Sequence, residues 1–249
     1  MLENSFIHIP GIGEATERRL WGKGIFDWQG FLRTSRSPLS PGKDAIAREM
    51  LFKSLDHRKD ASFFAETFPQ REMWRLFEAF KDRVVYLDIE TSGGVGGCDE
   101  ITVIGLYDGK EVKSFVNGID LDAFELEIAR YDMVVTFNGA CFDLPYIRRA
   151  FPSISLPKVH VDLRFLLGRL GYQGGLKKIE HDCGIVRDRD IEGMGGLEAV
   201  WLWRDYLDGD TSALERLISY NRADIVNLEP LIEKGFNEMR RKLLPVAAW

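Results

Sequence analysis

The chain has 249 residues, 45% of them hydrophobic and 29% charged, with a net charge of −6. This is the profile of a folded protein and excludes a disordered or fibrous one. No apolar run reaches the roughly 20 residues that span a bilayer, and the start, MLENSFIHIPGIG, has no basic stretch ahead of an apolar core, so no membrane partner and a cytoplasmic location are expected. Cys98, Cys141 and Cys183 have no CxxC spacing, as expected of reduced thiols rather than a disulfide framework or zinc knuckle. The charge is uneven, slightly positive over residues 1–83 and negative over 84–249. An acidic chain argues mildly against a nucleic-acid partner, unless metal ions offset its carboxylates locally.

In chain order, residues 1–35 read as two short helices around a tight turn, a small all-α module. The segment TSRSPLSPG, rich in Pro, Ser and Gly, is a plausible linker. From Asp44 to Phe80 the apolar residues recur at helical spacing, so 36–80 is expected to be a helical linker segment and 81–249 the main domain. From Arg83 the pattern changes to strands: VVYLDI, EITVIGLYDG and EVKSFVNG. The turn Tyr107-Asp108-Gly109-Lys110 joins the second to the third, so these three are expected to form an antiparallel ribbon. A helix near Leu121–Arg130, a buried strand MVVTF and a helix from Asp143 follow. HVDLRFLLGRLG, GGLKKIEHDCGI and the stretch from Ser212 to Lys242 read as mostly helical. The whole predicts an α/β fold, a mixed β-sheet flanked by helices.

The strand VVYLDIET carries Asp88 and Glu90 one residue apart. Side chains at i and i+2 of a strand share a face, so two like charges stand side by side. That is tolerated where they reach solvent or where a cation sits between them. Two further acids sit at positions of interest. Asp143 lies in NGACFDLPYI at a strand-to-helix junction, where α/β sheets commonly build sites. Asp224 lies in YNRAD, with Tyr220 four residues earlier on the same helical face. Taken alone, Asp143 reads as a helix N-cap and Tyr220 as a half-buried helix residue.

Together, DIET, NGACFDLPYI and YNRAD resemble the three exonuclease motifs of the DEDD superfamily, in order and over residues 84–224. The tyrosine four residues before the last aspartate resembles the DEDDy branch; the histidine branch would place a His where Ser219 stands. More closely, the chain resembles a predicted prokaryotic 3′–5′ exonuclease family with a ribonuclease H-like domain. The resemblance implies a ribonuclease H-like fold and two Mg²⁺ or Mn²⁺ ions. Asp88 would bridge them, Glu90 and Asp224 would complete one site, and Asp143 would hold the second. Tyr220 would orient the attacking water. Such ions prefer hard oxygen ligands, which suits carboxylates.

Near the start, Ile9-Pro10-Gly11-Ile12-Gly13 followed by Arg18 and Arg19 resembles a helix-hairpin-helix. Such a motif would offer backbone N–H groups around Gly11 and Gly13 to a phosphate at a helix start. A plain glycine turn or a protein-docking surface is the alternative. Asn138, Lys177 and Lys178 are further candidates for nucleic-acid contact, although a solvated helix start also accounts for the lysines. His160-Val161-Asp162 has the spacing of an HxD metal pair, but a strand exit is the favoured account, with Asp162 a neighbour of the site. His181 and Cys183 lack a partner pair for zinc. Trp201 and Trp203 are expected to pack inside, although exposed aromatics could stack a base. The expected activity is 3′–5′ exonuclease action on single-stranded 3′ ends, DNA favoured over RNA. The alternatives are an exoribonuclease with the same site and a non-catalytic nucleic-acid-binding scaffold.

Overall fold

The structure, a computed structural model, describes residues 1–36, 38–94, 99–187 and 193–244. Its contacts divide the chain into two compact units: Met1–Asp82 with the stretch from Phe236 onward, and Arg83–Gly235. No described helix is long and apolar enough to cross a membrane. Cys141 and Cys183 form no disulfide, and Cys98 lies outside the described residues.

The first unit contains helices α1 (Glu14–Gly22), α2 (Trp28–Leu32), α3 (Pro41–Asp56), α4 (Ala61–Thr67) and α5 (Phe77–Phe80). Asp27 and Asp60 start α2 and α4 by accepting the backbone N–H of Gly30 and Phe63, which satisfies donors that a helix start leaves open. The core is aromatic: Phe6, Trp28, Phe31 and Phe64 are fully buried. Beside it lies a buried ion network. Arg75 holds Glu17 at 2.9 Å and Glu72 at 2.7 Å. Glu17 also accepts the backbone N–H of Phe6 and Ile7. These bonds take the amides of Phe6 and Ile7, and the only helical turn ahead of Gly11 is the short 3₁₀ segment Leu2–Asn4. The glycine turn therefore precedes both expected short helices, α1 and α2, instead of joining them.

The second unit is built on a five-stranded sheet in the order β3-β2-β1-β4-β5. Its strands are β1 (Val84–Thr91), β2 (Ile101–Tyr107), β3 (Val112–Val116), β4 (Met133–Thr136) and β5 (Val159–Asp162). β1, β2 and β3 form the expected antiparallel ribbon, and β4 and β5 add in parallel. Asp108 makes the ribbon's second turn by accepting the N–H of Lys110 and Glu111. Of β5 the expected series held only a strand exit at His160-Val161-Asp162, in a segment read as mostly helical. Its four residues run straight into a helix, so the helical spacing of LRFLLGRL hides it.

Helices cover both faces: α6 (Phe124–Ile128), α7 (Asp143–Ala150), α8 (Leu163–Gly168), α9 (Leu176–Asp182), α10 (Gly196–Leu207) and α11 (Thr211–Val226). The final helix, α12 (Leu228–Leu243), continues after a break at Asn227. Period-2 alternation along β1 divides its side chains between the faces. Val85, Leu87 and Ile89 join Phe124, Ile128 and Ile147 in one core. On the other, Val103 and Val116 meet Ala199, Leu202, Trp203 and Tyr220 of α10 and α11. Trp203 is buried as expected. Trp201 is not: at 54% exposed it lies on the outer side of α10, two residues round the helix from Trp203.

Candidate metal centre

The site forms where β1 outruns its parallel neighbour. β4 pairs only with Val84, Val85 and Tyr86, so the carboxyl half of β1 has backbone groups on that side with no strand to bond. One of them, the N–H of Ile89, donates to Oδ1 of Asp143 at 3.1 Å. Asp143 reaches it from the first residue of α7. Its position at a helix start is thus real, but its carboxylate serves the strand.

Asp88 and Glu90 stand on the β1 face turned toward α11. Asp224, on α11, brings a third carboxylate, and one oxygen from each of the three lies within 4.8 Å of the others. Asp143 falls outside this closest group, but its charge bears on it. α11 comes this close because β2 has no side chain at Gly105, the residue opposite Asp88. A Cβ there would lie 1.9 Å from Oδ1 of Asn221. Asn221 uses the space to donate to the Asp88 carboxylate at 3.0 Å and to its backbone carbonyl at 3.3 Å.

The electrostatics are those of a site holding more negative charge than the protein alone neutralises. Burial, then the charges of Asp143, Asp224 and Glu90, hold the Asp88 carboxyl well above the usual carboxylate range. Burial and Asp224 do the same to Glu90. Burial pushes Asp143 up to about 7 against its backbone hydrogen bonds, and raises Asp224 against the opposing charge of Arg187. A bound cation favours the ionised form of each acid. The donor set fits a divalent ion: hard carboxylate oxygens, with Oε1 of Glu90 buried and lacking a hydrogen-bond partner among the described residues. Burying such an atom unpaired is costly.

Tyr220 is 5% exposed. Burial, then Asp224, Glu90 and Asp88, push its phenol above its ordinary value, so it keeps its proton. Lys177 places its Nζ 4.7 Å from the Tyr220 ring centroid. Lys178, next to it, is exposed and pairs with Asp182 at 2.5 Å. Asn138 has a left-handed backbone, φ 67°, and accepts from Arg164 at 2.6 Å. A cavity of about 600 Å³ opens there, lined also by Phe137, Tyr172 and Gly174.

Asp162 is a loop organiser. Its carboxylate accepts the N–H of Asn138, Ala140 and Arg164, shaping the turn that delivers Asp143. His160 bonds Thr136 at 2.9 Å, as a strand neighbour does. Gly11, Gly13, Arg18 and Arg19 belong to the first unit. Gly11 has φ +79°, Gly13 starts α1, Arg18 pairs with Glu14 at 3.2 Å, and Arg19 is exposed.

Two residues at the site carried no sequence signal. Asn221 is masked by its neighbours in YNRAD, although the glycine inside β2 marks a close approach. Arg187 lies beyond α9. Its guanidinium grips Glu180 through two bonds, 2.6 and 2.7 Å, and pairs with Asp224. Nothing local in GIVRDRD points to partners on α9 and α11.

The RNase_H superfamily model RNase_H_2 matches residues 85–235. No curated protein matches the chain. Among solved structures, the family B DNA polymerase from the hyperthermophilic archaeon Pyrobaculum calidifontis is similar over 67% of this chain and 27% of its own, at 19% identity and TM-score 0.51. Escherichia coli RNase D, an exoribonuclease involved in structured RNA processing, is similar over 72% of this chain and 45% of its own, at 20% identity and TM-score 0.48. The Aedes aegypti Nibbler EXO domain is similar over 70% of this chain and 92% of its own, at 13% identity and TM-score 0.39. The chain thus spans well under two thirds of the polymerase and of RNase D. Identities this low speak to fold alone, whereas the family model covers more than half of the chain, the half that carries the sheet and the acids. The chain belongs to the RNase_H superfamily.

Proposed function

We propose that this protein is a metal-dependent 3′–5′ exonuclease that hydrolyses phosphodiester bonds at single-stranded nucleic-acid 3′ ends, with DNA as the favoured substrate. The observation that carries the reading is the group Asp88, Glu90 and Asp224, one oxygen of each within 4.8 Å of the others, in a domain of this family. These three with Asp143 would hold two Mg²⁺ or Mn²⁺ ions. When bound, such ions polarise a phosphodiester, yield a nucleophilic water near neutral pH and stabilise the leaving oxygen.

The chain's own residues have separate tasks. Asn221 holds the Asp88 carboxylate in place. Asp143, tied to the Ile89 amide, is fixed relative to β1. Tyr220 stays protonated, so it can orient a water but not deprotonate one. Lys177, beside it, supplies positive charge for a phosphate. Asn138 and Lys178 would contact the chain further from the scissile bond. In the first unit, the backbone at Gly11 and Gly13 with Arg18 and Arg19 would bind phosphates without reading sequence.

The test uses 5′-labelled single-stranded DNA and RNA with Mn²⁺ or Mg²⁺, comparing wild type with Asp88→Ala. The expected result is a ladder shortening from the 3′ end, faster on DNA and lost in the variant. Faster shortening of RNA moves the substrate to RNA and leaves the chemistry intact. Binding without turnover on either overturns the enzymatic reading.

A further inference from the structure

We propose that Arg187 is an internal cation that competes with a divalent metal ion for Asp224, and so sets how tightly the acidic site binds metal. The proposal rests on the metal-centre reading above. Arg187 is 7% exposed, and its partner side chains are nearly as buried, Glu180 at 2% and Asp224 at 10%. Two bonds fix its guanidinium to Glu180, and Asn227 further secures that carboxylate at 3.0 Å. The guanidinium is therefore anchored from α9, and its Nη2 bridges from Glu180 to Oδ1 of Asp224. Asp224 is also one of the three acids whose oxygens converge. An ion joining that group must share or win this carboxylate from a guanidinium already paired to it.

Charge and geometry both favour competition over simple support. A unit positive charge within a few ångströms of a doubly charged ion repels it even where water screens strongly. Asn221, not Arg187, supplies the neutral hydrogen bond that orients the acid at the centre, Asp88. Nη1 of Arg187 is buried with no partner among the described residues. Moving the guanidinium away from Asp224 would thus give up one ion pair and leave its double grip on Glu180 intact. Glu180 serves as the place where the arginine rests when metal takes Asp224.

Mn²⁺ titration of the full-length protein, followed by electron paramagnetic resonance and calorimetry without any nucleic acid, tests this. Arg187→Met is expected to tighten Mn²⁺ binding about tenfold or more, and Arg187→Lys less, because an ammonium makes a single contact where the guanidinium makes a fork. Glu180→Gln is expected to weaken Mn²⁺ binding, since the freed arginine then pairs with Asp224 alone. A merely structural defect would move both variants in the same direction. Unchanged or weaker binding in Arg187→Met overturns the proposal and leaves the metal centre standing. Asp88→Asn is the control for the site. If no protein, wild type included, binds Mn²⁺ in a way that Asp88→Asn abolishes, the metal-centre reading itself fails and takes this proposal with it.

Discussion

Each unit of the molecule buries carboxylates, and the two treat them in opposite ways. In the first, Glu17 and Glu72 share Arg75, Glu17 also takes two backbone N–H groups, and Ser5 adds a hydroxyl to the guanidinium. That network is closed: each charge meets an opposite charge or a donor. In the second, Asp88, Glu90, Asp143 and Asp224 meet an arginine already committed to Glu180 and the nearby charge of Lys177, two cations for four acids. Charge is left over there, and a buried acceptor, Oε1 of Glu90, lacks a donor among the described residues. Burial alone does not set the second group of acids apart; incomplete neutralisation does.

The sharpest way to break this comparison is to remove one charge from each region. Asp88→Asn is expected to cost at least about 10³-fold in turnover, because the several kcal/mol that metal coordination supplies each count tenfold per 1.4 kcal/mol. The same variant should melt no lower than wild type, and higher if relief of repulsion outweighs other changes. Arg75→Met should do the reverse. It leaves Glu17 and Glu72 buried without their cation, a loss of about 3–5 kcal/mol, while the folded fraction turns over substrate normally. Denaturant melts and turnover per folded molecule decide both. An Asp88→Asn protein that unfolds early would mean the acids are structural after all.

Metal addition sharpens the contrast further. An ion that binds only the folded site stabilises by about 2.7 kcal/mol at a hundredfold excess over its dissociation constant. Saturating Mn²⁺ should therefore raise the melting temperature of wild type by several degrees. Glu90→Gln should remove most of that gain, and Glu17→Gln none of it. Equal loss in both would erase the distinction between the two regions.

Much of this was legible before the structure because local rules and tertiary packing agreed. The alternation in VVYLDIET placed Asp88 and Glu90 on one face, and the ribbon β1–β3 followed from the run of strand patterns and the turn at Tyr107–Lys110. Asp143 at the start of α7 and Tyr220 four residues from Asp224 likewise needed only strand and helix periods. The remainder depended on contacts between distant elements. β5 showed only as a strand exit at His160-Val161-Asp162, because four strand residues abut a stronger helical pattern. Trp201 and Trp203 look alike in sequence, and only the face that α10 turns inward separates them. Arg187 meets Asp224, 37 positions further along the chain, and no spacing rule connects a loop arginine to a helix aspartate that far away.

The smallest expected effect concerns a group of the closed region that can still titrate. His8 is 3% exposed and stacks on Phe68, with ring centroids 5.0 Å apart. Its Nε2 meets the Ser54 hydroxyl at 3.0 Å. Burial, then the charge of Arg75, pull the imidazole down to about 3. The unfolded chain, near the ordinary value of 6.5, binds a proton between those limits that the folded chain refuses. Stability contributed by neutral His8 is thus complete above pH 6.5 and is lost as pH falls toward 3. At pH 5 the loss is about 2 kcal/mol, at roughly 1.4 kcal/mol per pKa unit. Glu17, raised by burial, acts the other way, since a carboxyl that holds its proton in the fold costs stability as pH rises above its unfolded value. His8→Phe keeps the ring packing and removes this term, leaving the opposing one of Glu17 and the like-signed one of His160, which burial pulls down to about 4. Its melting temperature should therefore fall less than that of wild type between pH 7 and pH 5, and an unchanged pH slope would mean that His8 is not what the acid limb reports.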